Sequence, residues 1–160
     1  MIHSTVVDAD VTPMLAWIDK QLIIDPKGRV NPYTGTSRIW GAIHTIPLDQ
    51  LEFNPLIDKI NSIASRQLEN YCISDIWSNF NPPGTIPSQK HNHNGASIAG
   101  CFYVSVPKDS GKIVFETGEE FYPSAGDLLW WDANLIHWVT ENSSLENRYS
   151  IAFNITQKFN

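Results

Sequence analysis

The sequence has few cysteines, little charge and no long apolar run, and each shortage excludes a class of protein. Cys72 and Cys101 are too few for a disulfide framework, so we expect a reducing, cytoplasmic environment. Charged residues make up 18% of the chain and hydrophobic residues 42%, which excludes a disordered polyelectrolyte. No run approaches the roughly 20 apolar residues that span a bilayer, and the N-terminus shows no signal-peptide pattern. We therefore expect no association with membranes.

An excess of positive charge is also lacking. The chain carries 11 Lys and Arg against 17 Asp and Glu, a formal net charge of −6. Non-specific nucleic-acid binding requires an electropositive surface, so we expect no nucleic-acid partner. What remains is an acidic globular protein, and 160 residues are the length of a single domain spanning 1–160.

The first part of the chain carries helix patterns. Thr12-Pro13 and Asn54-Pro55 each predict a helix start, and apolar residues follow both at helical spacing. Between them, residues 38–46 predict a strand. We expect residues 1–72 to form an N-terminal support of helices and a strand.

From residue 73 onward the pattern changes to short apolar runs separated by turn residues such as Pro, Gly and Asn. These runs predict eight strands, at 73–80, 86–93, 97–106, 112–116, 119–122, 127–131, 135–141 and 148–156. Eight short strands after two helices predict an α+β chain with a β-sandwich or jelly-roll core over residues 73–156.

Three histidines form a candidate metal site. His91 and His93 lie two residues apart in a predicted strand, so both rings face the same side. His137 lies on another predicted strand and could supply a third imidazole to the same ion. Two solvated histidines beside the turn at residues 94–95 would give the same pattern, and the spacing alone leaves both interpretations open.

Arg148 and Ser150 form a candidate anion site. Both face the same side of the last predicted strand. A buried arginine is costly unless an anion meets it, and a guanidinium beside a hydroxyl suits a carboxylate. The alternative is that Arg148 ends the strand in solvent near Glu141 and Glu146.

Four stretches taken together are more specific evidence than the separate histidine and arginine motifs. They are QKHNHNGASIAGCFYVSVP, GKIVFE, SAGDLLWWDANLIHWV and ENRYSIAFN. In this order they resemble the core of the Fe(II)/2-oxoglutarate-dependent oxygenases, above all a bacterial and phage group related to prolyl hydroxylases. The resemblance covers residues 73–156, about half the chain. It implies a double-stranded β-helix (jelly roll) core with the N-terminal helices packed on one sheet.

The resemblance also implies roles for particular residues. Metal binding falls on His91, His93 and His137, and the distal carboxylate of 2-oxoglutarate falls on Arg148 with Ser150. Two further residues match positions where the family often contacts 2-oxoglutarate or substrate, namely Asn79 and Tyr103. The departure is His93, where the family has a carboxylate. Either His93 replaces that carboxylate or the site has only two histidines.

The activity implied by this resemblance is that of an Fe(II)- and 2-oxoglutarate-dependent dioxygenase. It would hydroxylate a C–H bond of a peptide, protein or small-molecule substrate while 2-oxoglutarate is decarboxylated to succinate. Two alternatives stay open: a zinc enzyme with a three-histidine site, and a non-catalytic β-sandwich module. The sequence also leaves the oligomeric state open, and a homodimer is compatible with it.

Overall fold

The computed structural model describes residues 1–29 and 41–159, which form helices and antiparallel strands. The helices are α1 (Thr12–Ile24) and α2 (Asn54–Gln67), with a 3₁₀ turn at Leu51–Phe53 leading into α2. The strands are β1 (His3–Val6), β2 (Ala42–Thr45), β3 (Tyr71–Asn81), β4 (Ser88–His91), β5 (Ile98–Ser105), β6 (Ile113–Phe115), β7 (Glu120–Phe121), β8 (Asp127–Asp132), β9 (His137–Val139) and β10 (Arg148–Gln157).

The strands pair into two antiparallel sheets that face each other without closing into a barrel. The larger sheet has the order β1-β8-β5-β10-β3-β2, and the smaller has the order β4-β9-β6-β7. Strands distant in sequence therefore become neighbours, as β10 does by pairing with both β3 and β5. This arrangement confirms the predicted jelly-roll fold.

The helices cover the outer face of the larger sheet. In α2 the buried residues recur every three or four positions, which produces one apolar stripe: Leu56, Ile57, Ile60, Ile63 and Ala64. This stripe and buried residues of α1 pack against apolar side chains from β3, β5, β8 and β10. The predicted packing of the helices on one sheet is confirmed.

A second apolar cluster fills part of the space between the sheets. Tyr103, Leu129 and Trp131 of the larger sheet meet Ile113 and Phe115 of the smaller one. The side chains of strand β10 alternate: Ile151 and Phe153 face the helices, whereas the residues between them face the other sheet. That inward face is where the candidate site lies.

Each of the eight predicted strands from residue 73 onward has an observed counterpart. The predicted strand at 38–46 is observed as β2, and its residues 38–40 lie outside the described residues. The predicted helix start at Thr12-Pro13 is observed, with Thr12 as the first helical residue of α1 and Val11 at the cap position, and the Thr12 N–H donates to Asp10 Oδ1. Within the described ranges, no helix is long and apolar enough to cross a membrane.

Candidate functional site

Two strands of the smaller sheet bring the three histidines together. His91 ends β4 and His137 begins β9, and the two residues are directly paired across these antiparallel strands. His93 follows β4 by two residues and is held by its backbone N–H, which donates to the Ala133 carbonyl at 2.8 Å. The prediction that the rings of His91 and His93 face the same side, made from the strand period of two, therefore agrees with the structure.

The three imidazole rings form a tight cluster. Ring centroids lie 4.4 Å apart for His91 and His137, 5.0 Å for His91 and His93, and 5.1 Å for His93 and His137. One nitrogen from each ring lies within 4.8 Å of the others. The rings of His93 and His137 are nearly parallel, and their Nε2 atoms are 3.3 Å apart.

Backbone carbonyls orient two of these rings. Nδ1 of His91 donates to the Gln89 carbonyl at 2.6 Å, and Nδ1 of His137 donates to the Leu135 carbonyl at 3.0 Å. Because a carbonyl only accepts, each Nδ1 carries the proton and each Nε2 of the neutral ring carries a lone pair. Histidine ligands of metals are commonly fixed by this kind of hydrogen bond on the opposite nitrogen.

The cluster favours neutral imidazoles. Burial lowers the pKa of His93 to about 3, with further lowering from the nearby His137 and His91 rings. Burial also lowers the pKa of His137 to about 3, and that of His91 is lowered for the same reason. Neutral imidazole is the form that binds a metal ion.

The donor set fits a first-row divalent ion. Two imidazole nitrogens bound to one metal at about 2.1 Å lie roughly 3.0 to 3.4 Å apart for ligand angles of about 90 to 110°. The 3.3 Å between the two Nε2 atoms falls in this range before any metal is added. Imidazole suits Fe, Zn, Cu and Ni, so the spacing of the ligand atoms is compatible with each of these ions.

Arg148 faces the same pocket from the larger sheet. The residue is only 2% exposed, and its guanidinium carbon lies 5.4 Å from the centre of the Tyr103 ring. Among the described residues, its Nε has no hydrogen-bond partner and no carboxylate forms an ion pair with it. A buried, unpaired guanidinium is costly, so this position is suited to receive an anion.

Polar groups from neighbouring strands surround Arg148. Ser150 is paired with Asn79 on one side and with Tyr103 on the other. Asn79 Nδ2 donates to Ser150 Oγ at 3.4 Å, and Trp77 Nε1 donates to Asn79 Oδ1 at 3.2 Å. The buried Tyr103 hydroxyl makes no hydrogen bond within the described part of the chain, and burial raises its pKa well above the ordinary value.

One pocket joins the histidines to Arg148. It holds an empty volume of about 550 Å³, which includes space open to solvent. All seven residues predicted for the site line it: Asn79, His91, His93, Tyr103, His137, Arg148 and Ser150. The structure therefore places these residues together, whereas their binding roles stay a prediction.

Other residues in and around the site were not predicted from the sequence. Asn81 continues the alternation of Trp77 and Asn79 along β3 and lines the pocket with them; the period of two was the signal that could have found it. Asn142 is fully buried, and its Nδ2 donates to the carbonyls of Asn81 and Glu146, each at 2.9 Å. It thereby fixes the loop that leads into β10 and Arg148.

Solved structures of other proteins share this fold. A prolyl-4-hydroxylase of Pseudomonas putida has a TM-score of 0.70 at 16% identity, covering 98% of this chain and 92% of its own. A prolyl hydroxylase of Trichoplax adhaerens gives 0.76 at 17% identity, with 98% and 83% covered. The epimerase SnoN, solved with Fe³⁺, α-ketoglutarate and nogalamycin RO, gives 0.70 at 12% identity, with 98% and 78% covered.

These similarities extend over nearly the whole chain, including its N-terminal helices. No family model matches the sequence, and no curated protein matches it. At identities of 12 to 17% the solved structures establish the fold alone. The chain has the double-stranded β-helix fold of the 2-oxoglutarate-dependent Fe(II) oxygenases, as its sequence motifs predicted.

Proposed function

We propose that this protein is an Fe(II)- and 2-oxoglutarate-dependent oxygenase that hydroxylates a C–H bond. The observation that carries the proposal is Arg148, a buried cation without a carboxylate partner among the described residues, in the same pocket as three neutral imidazoles. A zinc site or a structural sandwich has no use for such an unpaired guanidinium. A diacid bound to the metal and to Arg148 would account for both halves of the pocket.

In this proposal His91, His93 and His137 hold Fe(II), with the Nδ1 hydrogen bonds keeping the lone pairs of His91 and His137 on Nε2. Arg148 binds the distal carboxylate of 2-oxoglutarate through charge-assisted hydrogen bonds, aided by the hydroxyls of Ser150 and Tyr103. Asn79 orients Ser150. When bound, iron and 2-oxoglutarate supply the oxidising chemistry: oxygen and 2-oxoglutarate are converted to succinate and carbon dioxide while the substrate C–H bond becomes C–OH.

Apolar side chains around the histidines would exclude competing reactions. The rings of Trp131 and Phe115 contact His137, with centroids 4.9 and 5.9 Å away, and Trp77 contacts His93 at 6.0 Å. Such walls limit the entry of water and hold the imidazoles in fixed orientations.

The first experiment measures succinate formation by the purified protein with Fe(II), 2-oxoglutarate and oxygen, and measures 2-oxoglutarate binding anaerobically. We expect succinate only when all three components are present, and at a subsaturating 2-oxoglutarate concentration we expect Arg148→Ala to form it about tenfold more slowly. A protein that holds one iron yet neither binds 2-oxoglutarate nor forms succinate would contradict the proposal.

A zinc enzyme is the second candidate, and the neutral three-histidine set is the observation that favours it. Three histidines and an open position are the ligand set of zinc sites that activate water. Metal analysis of protein purified without air, followed by reconstitution with Fe(II) or Zn(II), separates the two. Activity with zinc that is indifferent to 2-oxoglutarate and to Arg148→Ala would favour this candidate.

The similar solved structures contain two different classes of bound molecule. The Trichoplax enzyme was solved with a hypoxia-inducible-factor peptide fragment, and SnoN with a nogalamycin compound. We keep both a peptide and a small molecule as proposed substrates, and a cytoplasmic location as a prediction. We also keep the division into a support (1–72) and a core (73–156) as a proposal.

A further inference from the structure

The pocket has a charge balance unlike that of the whole chain. The chain carries 17 acidic and 11 basic side chains, yet among the described residues no Asp or Glu lines the pocket. Arg148 is the one Arg or Lys in that lining. Within this described lining, negative charge therefore comes only from what binds there.

The charge of the loaded pocket follows from its ligands, and this step rests on the proposed function. A divalent ion and Arg148 carry three positive charges, three neutral imidazoles carry none, and 2-oxoglutarate carries two negative charges. One positive charge is left uncompensated, whereas a carboxylate in place of His93 would bring the total to zero. Because an uncompensated charge in a mostly buried site is costly, a further anion is favoured there.

A second cation lies beside this pocket. The guanidinium carbon of Arg29 is 5.5 Å from the centre of the Trp77 ring, and Trp77 lines the pocket with its ring 6.0 Å from that of His93. Arg29 is exposed and forms no ion pair within the described residues. Its guanidinium is therefore available to an anion that approaches along Trp77.

The backbone holds Arg29 in this position. The Arg29 N–H donates to the Ile43 carbonyl of β2 at 2.9 Å, and β2 pairs with β3, which carries Trp77. Gly28 has a φ of +60°, and a Cβ there would lie 2.2 Å from the Ile43 carbonyl oxygen. Only glycine allows this close approach, so the chain is built to bring Arg29 against the edge of the larger sheet.

We propose that the substrate carries a carboxylate, which Arg29 binds beside Trp77 and which the uncompensated positive charge left by His93 also attracts. Three features of this chain support the proposal: a neutral residue at the third ligand position, no acidic side chain in the described pocket wall, and a backbone-anchored arginine near the histidines. The substrate is thus a carboxylate-bearing small molecule or a peptide that presents a carboxylate.

The test compares two probes of nearly equal shape, N-acetylglycine and its neutral amide, N-acetylglycinamide. Calorimetry measures their binding to the Zn(II)-loaded protein at saturating 2-oxoglutarate, since zinc has no redox chemistry. We expect the carboxylate to bind at least about tenfold more tightly, as charge-assisted hydrogen bonds do. Retention of labelled 2-oxoglutarate in equilibrium dialysis shows that the probe occupies a different place.

Three variants sharpen the test. We expect Arg29→Gln to reduce the preference for the carboxylate about tenfold, because one charge-assisted bond is lost. Lys27→Gln makes the same charge change two residues away on an exposed position, and we expect it to leave the preference unchanged. His93→Asp adds the missing negative charge, so the preference should fall while metal is still bound.

Equal affinity for the two probes, an unchanged preference in Arg29→Gln, or expulsion of 2-oxoglutarate by N-acetylglycine would each overturn the inference. The failure of the proposed function is separate, because it appears earlier as a metal-loaded parent protein that does not bind 2-oxoglutarate. In that case both proposals fall.

Discussion

The two ends of the pocket are built on very different supports. His91 and His137 lie on β4 and β9 of the smaller sheet, strands of four and three residues, and His93 follows β4 by two residues. Arg148 and its neighbours lie on β10, β3 and β5 of the larger sheet, strands of 10, 11 and eight residues. The larger sheet is also backed by both helices.

This difference indicates that the anion end is preorganised by the main core, whereas the metal end depends more on local contacts. At the metal end, ring orientation comes from two backbone carbonyls and from aromatic neighbours. At the anion end, Arg148 is paired with β3, and Ser150 is paired with strands on both sides of β10. We therefore expect that a substitution at either end can abolish binding there without unfolding the protein.

The largest expected effect is loss of metal binding in His137→Ala. The affinity for Fe(II) or Zn(II) should fall by more than about a hundredfold, because partners of metal ligands alone are worth 10- to 100-fold. A metal titration measures the affinity, and circular dichroism checks that the fold survives. We expect His93→Ala to lose a similar amount, which distinguishes three ligands from two.

His3→Ala is the matched control, since His3 stacks on Trp130 outside the pocket. Its metal affinity should equal that of the parent. A His93→Ala protein that binds metal as tightly as the parent would show that only His91 and His137 are ligands.

Arg148→Ala should break the anion end alone. A charge-assisted bond to a carboxylate is worth about 1.5–3 kcal/mol, so the affinity for 2-oxoglutarate should fall at least about tenfold. Metal affinity measured on the same protein should stay close to that of the parent. Arg148→Lys should recover part of the loss, because the charge is kept while the bidentate geometry is lost.

If Arg148→Ala binds 2-oxoglutarate as tightly as the parent, Arg148 is not its binding residue. A loss of metal binding in the same variant would instead show that the two ends are not structurally separate.

The pH dependence of the metal-free protein probes the buried imidazoles. His93 and His137 have a pKa of about 3 when folded and about 6.5 when unfolded. The unfolded chain therefore binds more protons between these values, and stability is lost as the pH falls below about 6.5. Each imidazole contributes at most about 1.4 kcal/mol per pH unit, or tenfold in the folding constant.

Urea unfolding at several pH values between 7.5 and 4 measures this slope. The double variant His93→Gln/His137→Gln should show a flatter profile, because glutamine does not titrate. Equal slopes in the parent and the double variant would contradict the assignment of the acid sensitivity to these two rings.

Ser150→Ala should have the smallest effect. It removes one neutral hydroxyl near Arg148 and the hydrogen bond from Asn79, so the affinity for 2-oxoglutarate should fall about two- to fivefold. Calorimetry alongside Arg148→Ala gives the comparison. A loss as large as that of Arg148→Ala would mean that Ser150 positions the guanidinium rather than adding one weak contact.

Much of the fold was predictable because local patterns in the sequence determine where its strands and helices form. The alternation in β10 that places Ile151 and Phe153 opposite Arg148 and Ser150 is visible in the sequence. The pairing of β1 with β8 was not predictable, since nothing local to residues 3–6 indicates a partner more than 100 positions away. Alternation fixes the face of a side chain, but it does not fix the partner of a strand.

The candidate site was likewise predictable only in part. The sequence motif predicted His91, His137 and Arg148 as site residues, because their types and spacing are unusual. The place of Arg29 beside Trp77 depends on the passage of the chain at Gly28 across β2, a long-range contact without a local signal. The low pKa of His93 likewise arises from burial by other strands.

The central claim is that the two ends form one binding site for a metal and 2-oxoglutarate. Anaerobic calorimetry with Fe(II) measures it most directly, by determining the affinity for 2-oxoglutarate with and without iron and the affinity for iron with and without 2-oxoglutarate. If both ligands share one site, each tightens the other by the same factor, as linkage requires. Affinities that are independent of each other would contradict the claim.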